Sequence, residues 1–134
     1  MLDHIFLTVN DIGRSIAFYE SVLPLLGITA RHDYDGKDGP MGHPDLKGFG
    51  AKGRMFFWLR QGTAAAGAVH VGFAADSEET VNKAHAKALA AGATEIQPPG
   101  AQLHYDPRYY AGQVRDLDGY SLEFVYKSWQ HGAE

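Results

Sequence analysis

The chain repeats itself. Shifted by 66 positions, His4 falls on His70, Gly53 on Gly119 and Phe57 on Glu123. A repeat of this kind constrains a fold more than any single motif, because each copy must be one supersecondary unit built to a shared plan. It also makes two scattered histidines equivalent, each opening a β-rich run in its own half.

Composition narrows the setting of that repeat. At 134 residues, 45% hydrophobic and 21% charged, the sequence reads as one globular domain, 1–134, large enough to bury a core without covalent staples. The absence of cysteine excludes disulfides, thiolate zinc sites and cysteine nucleophiles, so any metal must be held by nitrogen and oxygen. A net charge of -4 with no basic run argues against nucleic acid as a partner. No apolar run approaches the length of a membrane span, and Asp3 and His4 interrupt the N-terminus where a signal peptide is apolar. The expectation is a cytoplasmic protein with a small-molecule partner and no membrane or nucleic-acid partner.

The repeat divides the chain into a first module over about residues 1–61, a Gly/Ala-rich linker over about 62–67 and a second module over about 68–127. In the first, 4–9 reads as a strand and Asp11 as the cap of a helix whose apolar positions are Ile12, Ile16, Tyr19, Leu23 and Leu26. Residues 28–34 read as a strand, 35–53 as a glycine-rich loop with a short strand, and 54–60 as a strand. In the second, 69–75 is a strand, 77–91 a helix ended by Gly92, 94–97 a short strand, 98–107 a loop, 109–115 a strand, and 120–127 the last strand after an Asp118-Gly119 turn. Each module is therefore βαβββ. Two such modules predict an α+β fold whose mixed sheets form a cup-shaped, partly open barrel.

Alternation places the polar residues. His70 lies opposite the bulky Val69, Val71 and Phe73, Glu123 lies opposite Leu122 and Phe124, and His4 shares a face with Phe6 and Thr8. All three should face the concave side. A glutamate inside Leu122-Glu123-Phe124-Val125 is costly to bury without a partner.

With Asp3-His4-Ile5, the Asp11 helix, Val69-His70-Val71-Gly72-Phe73 and Arg115-Asp116-Leu117-Asp118-Gly119-Tyr120-Ser121-Leu122-Glu123, the whole chain resembles the vicinal oxygen chelate superfamily. That superfamily includes glyoxalase I, extradiol dioxygenases, fosfomycin-resistance transferases and bleomycin-resistance proteins. The resemblance implies one divalent metal ion, Fe, Mn, Zn or Ni, on His4, His70 and Glu123, a set suited to a bidentate oxygen substrate. It implies a homodimer in which His4 can complete the partner's site. Glyoxalase I-like members place a second glutamate where the offset puts Phe57, so a lyase here would use Glu123, taken as the catalytic residue, or metal-bound hydroxide as its base. Lyase or isomerase chemistry of the lactoylglutathione lyase kind is placed first. The alternatives are a metal-free, bleomycin-resistance-like binding protein, a three-ligand Fe(II) extradiol dioxygenase and a fosfomycin-type thiol transferase.

Substrate contacts are expected from Phe57, Arg54, His104, Tyr105 and Tyr110, the last three in or beside the loop at the cup's rim. His85 and His131 read as surface residues. Gly48-Phe49-Gly50-Ala51-Lys52-Gly53 matches G-x-G-x-x-G but precedes a strand rather than a helix, which excludes a dinucleotide site.

Overall fold

The computed structural model describes residues 1–132. Strand β1 (Ile5–Val9) leads into helix α1 (Ile12–Val22), where the Asp11 side chain accepts the backbone N–H of Arg14 and so caps the first turn. Pro24 cannot continue an α-helix, and the chain tightens into a 3-10 turn over Leu23–Leu26 that ends at Gly27 in the left-handed region. Strands β2 (Ala30–Tyr34), β3 (Leu46–Ala51) and β4 (Arg54–Gln61) complete a sheet of order β1-β4-β3-β2. The second module has the same plan. Strand β5 (His70–Ala74), helix α2 (Glu78–Ala90) and strands β6 (Thr94–Ala101), β7 (Tyr109–Arg115) and β8 (Ser121–Lys127) give the order β5-β8-β7-β6. A short helix α3 (Ser128–His131) follows. In each sheet the first strand runs parallel to the last and the other pairs are antiparallel. The sheets stay separate, and neither closes into a barrel.

Three local expectations change. The buried positions of α1 are Ser15, Phe18, Tyr19 and Val22, so the helix is rotated from the face defined by Ile12 and Ile16, which are only partly buried. Strand β6 runs through Pro98 and Pro99 where a loop was expected. It lies at the edge of its sheet, and irregular register between Glu95 and Gly100 absorbs the missing donors. His85 is not a surface residue: it is 3% exposed on the inner side of α2, with Nε2 2.9 Å from Glu95 Oε1.

The core lies on the helical side of both sheets. Leu7, Val9, Tyr19, Phe49, Phe57 and Leu59 from the first module meet Phe73, Val81, Leu122 and Phe124 from the second, and α1 packs against α2. Phe57 and Phe73 touch edge to face, 5.4 Å between centroids. The turn before β8 ties the modules further. Asp116 accepts the Tyr19 hydroxyl through Oδ2 and the N–H groups of Asp118 and Tyr120 through Oδ1. Asp118 accepts the Asn10 N–H and the Ser15 hydroxyl, and the Tyr120 hydroxyl donates to the Thr8 carbonyl. With the helices inside, the opposite face of each sheet is left open.

Candidate functional site

Glu123 and His70 meet on the open face of the second sheet. The ladder sets Gly72 against Glu123 and His70 against Ser121, and β5 alternates so that His70, Gly72 and Ala74 are exposed while Phe73 is buried. His70 Nε2 stands 3.0 Å from Glu123 Oε1, and its Nδ1 is 2.7 Å from Ser121 Oγ. Glu123 is only 7% exposed, and its second oxygen, Oε2, accepts the Tyr109 hydroxyl at 2.5 Å. Both carboxylate oxygens are thus engaged, as a buried acid between Leu122 and Phe124 requires. Burial first, and then the bond to Glu123, pushes the Tyr109 phenol well above its ordinary pKa. A Cβ built at Gly72 would meet nothing within 4 Å, so there is open space beside the carboxylate.

Tyr109 continues outward into the rim loop. Its ring lies 5.1 Å from that of Tyr105, which lies 4.1 Å from that of His104, while Lys127 Nζ sits 5.5 Å from the Tyr109 centroid. His104 and Tyr105 therefore form one file of rings that ends on Glu123. Tyr110 does not join it. Its hydroxyl donates to Asn82 Oδ1 on α2, on the opposite side of the sheet. In the loop, Arg108 holds the Asp106 carboxyl down at about 2 through a two-pronged ion pair.

His4 lies on the first module. Its Nδ1 is 2.6 Å from Asp3 Oδ2, and its ring meets Phe6 edge to face at 5.3 Å. The surrounding face is aromatic: Phe6 stacks on Trp58 at 6.3 Å, His32 meets the Trp58 edge at 6.3 Å, and Arg60 lies over Phe6. Gly48 makes room for Trp58, since a Cβ there would stand 2.7 Å from the indole ring. Among the described residues, no three His, Asp or Glu side chains converge as a metal site, so one chain brings His70 and Glu123 together without His4.

The register corrects the place of Phe57. Phe6 pairs with Trp58 as Gly72 pairs with Glu123, so Trp58, and not Phe57, is the counterpart of the glutamate. The cause is a β-bulge. Phe49 pairs with Phe57 but Gly50 with Met55, leaving Phe56 as an extra residue in β4 that β8 lacks. The backbone approach there demands glycine, because a Cβ at Gly50 would lie 1.8 Å from the Arg54 carbonyl oxygen. Phe57 instead packs in the core at 1% exposure, like its true counterpart Leu122. With Arg54 it also borders an apolar cavity of about 280 Å³ at the seam between the modules, near Val71 and Gly72.

Trp58, Tyr109 and Ser121 escaped the sequence reading as site residues. Parity within β7 held the signal for Tyr109, since 109 and 113 share a face and Gln113 pairs with Glu123.

A family model described as the Glyoxalase/Bleomycin resistance protein/Dioxygenase superfamily matches residues 1–124. A glyoxalase/bleomycin resistance protein from Albidiferax ferrireducens is 25% identical, with a TM-score of 0.75 over 92% of this chain and 96% of that one. The fosfomycin resistance protein FosX from Listeria monocytogenes shares the fold at 19% identity and a TM-score of 0.67, over 94% of this chain and 92% of its own. A variant of that FosX, 17% identical with a TM-score of 0.65 over 92% and 87% of the two chains, is complexed with Mn(II) and 1S,2S-dihydroxypropylphosphonic acid. No curated protein matches the chain.

Proposed function

The chain belongs to the glyoxalase/bleomycin resistance protein/dioxygenase superfamily, and within it we propose a divalent-metal-dependent enzyme for a small oxygenated molecule, with lyase or isomerase chemistry of the glyoxalase kind. The observation that carries this reading is the His70–Glu123 pair: an imidazole nitrogen and a carboxylate oxygen 3.0 Å apart, backed by Ser121 and Tyr109, beside open space. Nitrogen and oxygen donors of this kind suit Fe(II), Mn(II), Zn(II) or Ni(II). His4 is the third donor in this reading, supplied by a second chain whose first sheet faces the second sheet of this one. A homodimer of that form covers two open sheet faces at once.

A metal ion bound there supplies Lewis acidity to a substrate oxygen. The residues do the rest. Glu123 is the carboxylate base, since Trp58 stands where a second one would be. One carboxylate suffices for a proton shift: it takes a proton from one carbon and returns it to the neighbouring carbon, with no net oxidation. In that dimer the stacked Phe6 and Trp58 face of the second chain walls the site from the opposite side.

Calorimetric titration of metal-free protein with the four ions, together with light scattering, tests the proposal. The expected result is one ion per chain in a dimer, lost in both Glu123→Ala and His4→Ala. Binding by a monomer would overturn the two-chain site. No binding, or binding indifferent to Glu123, would make the protein a metal-free binding protein instead. Oxygen consumption with a catechol would favour the dioxygenase, which shares the three ligands.

A further inference from the structure

Tyr109 joins the rim loop to the candidate ligands. Its hydroxyl donates to Glu123 Oε2 at 2.5 Å, on the side of the carboxylate away from His70, which faces Oε1 at 3.0 Å. The terminal torsion of a glutamate is broad and nearly two-fold, so a free carboxylate turns easily and can offer a metal one oxygen or both. With Oε2 occupied, Oε1 alone remains on the His70 side. The Tyr109 ring is itself held from two directions, by Tyr105 at 5.1 Å and by Lys127 Nζ at 5.5 Å, and its backbone pairs with that of Lys127 in the ladder. Gln113 pairs with Glu123 through the backbone ladder, and among the described residues the hydrogen bond that orients Oε2 comes from Tyr109.

We infer, on the basis of the metal reading above, that Tyr109 is a positioning residue that fixes Glu123 as a one-oxygen ligand through Oε1. Tyr105 backs the ring and so links the orientation of the ligand to the loop that carries His104 and Tyr105. Groups that hold ligands in this way are commonly worth about 10- to 100-fold in metal affinity.

The probe is Co(II), titrated into the metal-free protein and followed by calorimetry and by its visible absorption. Tyr109→Phe removes one oxygen and keeps the ring against Tyr105 and Lys127. The expected result is a loss of affinity of about 10- to 100-fold, with a weaker visible band as Glu123 turns to bind through both oxygens and the coordination number rises. An unchanged urea midpoint shows that folding is not the cause. Should Tyr109→Phe fold poorly, Tyr105→Ala, a change at an exposed ring, is read instead and should weaken Co(II) several-fold. Wild-type affinity and spectrum in the folded variant would overturn the inference while leaving the metal reading intact, provided that Glu123→Gln abolishes binding. Absence of Co(II) binding by the wild type would overturn both.

Discussion

Asp116→Ala removes the acceptor for three donors at once: the Tyr19 hydroxyl and the backbone N–H groups of Asp118 and Tyr120. All lie where water cannot easily replace the carboxylate, with Tyr19 1% and Asp116 6% exposed. A buried donor left without a partner costs about 1–3 kcal/mol, so with three donors orphaned the variant should lose about 3–9 kcal/mol. That is a large part of the roughly 10 kcal/mol of a domain this size. Asp116→Asn keeps an oxygen for both N–H groups and an amide opposite the phenol, and should stay within about 1 kcal/mol of wild type at neutral pH. The pH dependence separates hydrogen bonding from charge. Burial raises the Asp116 carboxyl above its ordinary value of 3.8, against the bonds from Tyr19, Tyr120 and Asp118 that lower it. The folded chain therefore binds this proton more tightly than the unfolded chain. Its stabilising contribution is full below the ordinary value and falls as pH rises through the window up to the folded pKa. Urea denaturation of wild type and both variants at several pH values from about 4 to 7 should show the gap between wild type and Asp116→Asn shrinking as pH rises. If Asp116→Asn costs as much as Asp116→Ala, or the gap widens with pH, the account of Asp116 as a neutral-tolerant acceptor is wrong.

Two more outcomes follow from buried groups. Tyr19 and Tyr109 both have phenols raised above the ordinary value of 10, each chiefly by burial and then by a neighbouring carboxylate. Stability should fall as pH rises above that value, because the unfolded chain releases protons that the folded chain keeps. In an alkaline titration followed by tyrosinate absorbance, Tyr19→Phe and Tyr109→Phe should each remove one ionisation from the phase that coincides with unfolding. Gly112→Ala would place a Cβ 2.6 Å from His85 Nδ1 and 3.1 Å from Pro99 Cγ. Overpacking at so closed a spot should cost about 1–3 kcal/mol by urea denaturation, and the cost should drop when His85 is truncated to alanine in the same chain.

The sequence by itself determined the two βαβββ modules, the cap at Asp11, the turn at Gly119 and the faces of His4, His70 and Glu123. These depend on local chemistry: strand alternation, capping side chains and glycine at positive φ are written within a few residues of where they act. The cost of burying Glu123 also announced that it must have a partner, and His70 is one. Only the tertiary structure decided who else is there. Tyr109 reaches Glu123 from a strand partner, and Tyr110, one residue on, turns to α2, so a single step of register separates a site residue from a helix contact. The extra residue at Phe56 moves Trp58, not Phe57, into the position matching Glu123, and a bulge leaves no trace in an offset counted along the sequence. Prolines inside β6 were tolerable only because that strand lies at an edge, which no local pattern states. The burial of His85 likewise follows from where α2 packs, with Gly112 leaving room for the ring. Local rules fix what each segment is; which segments meet, and in what register, is settled by the energy of packing them together.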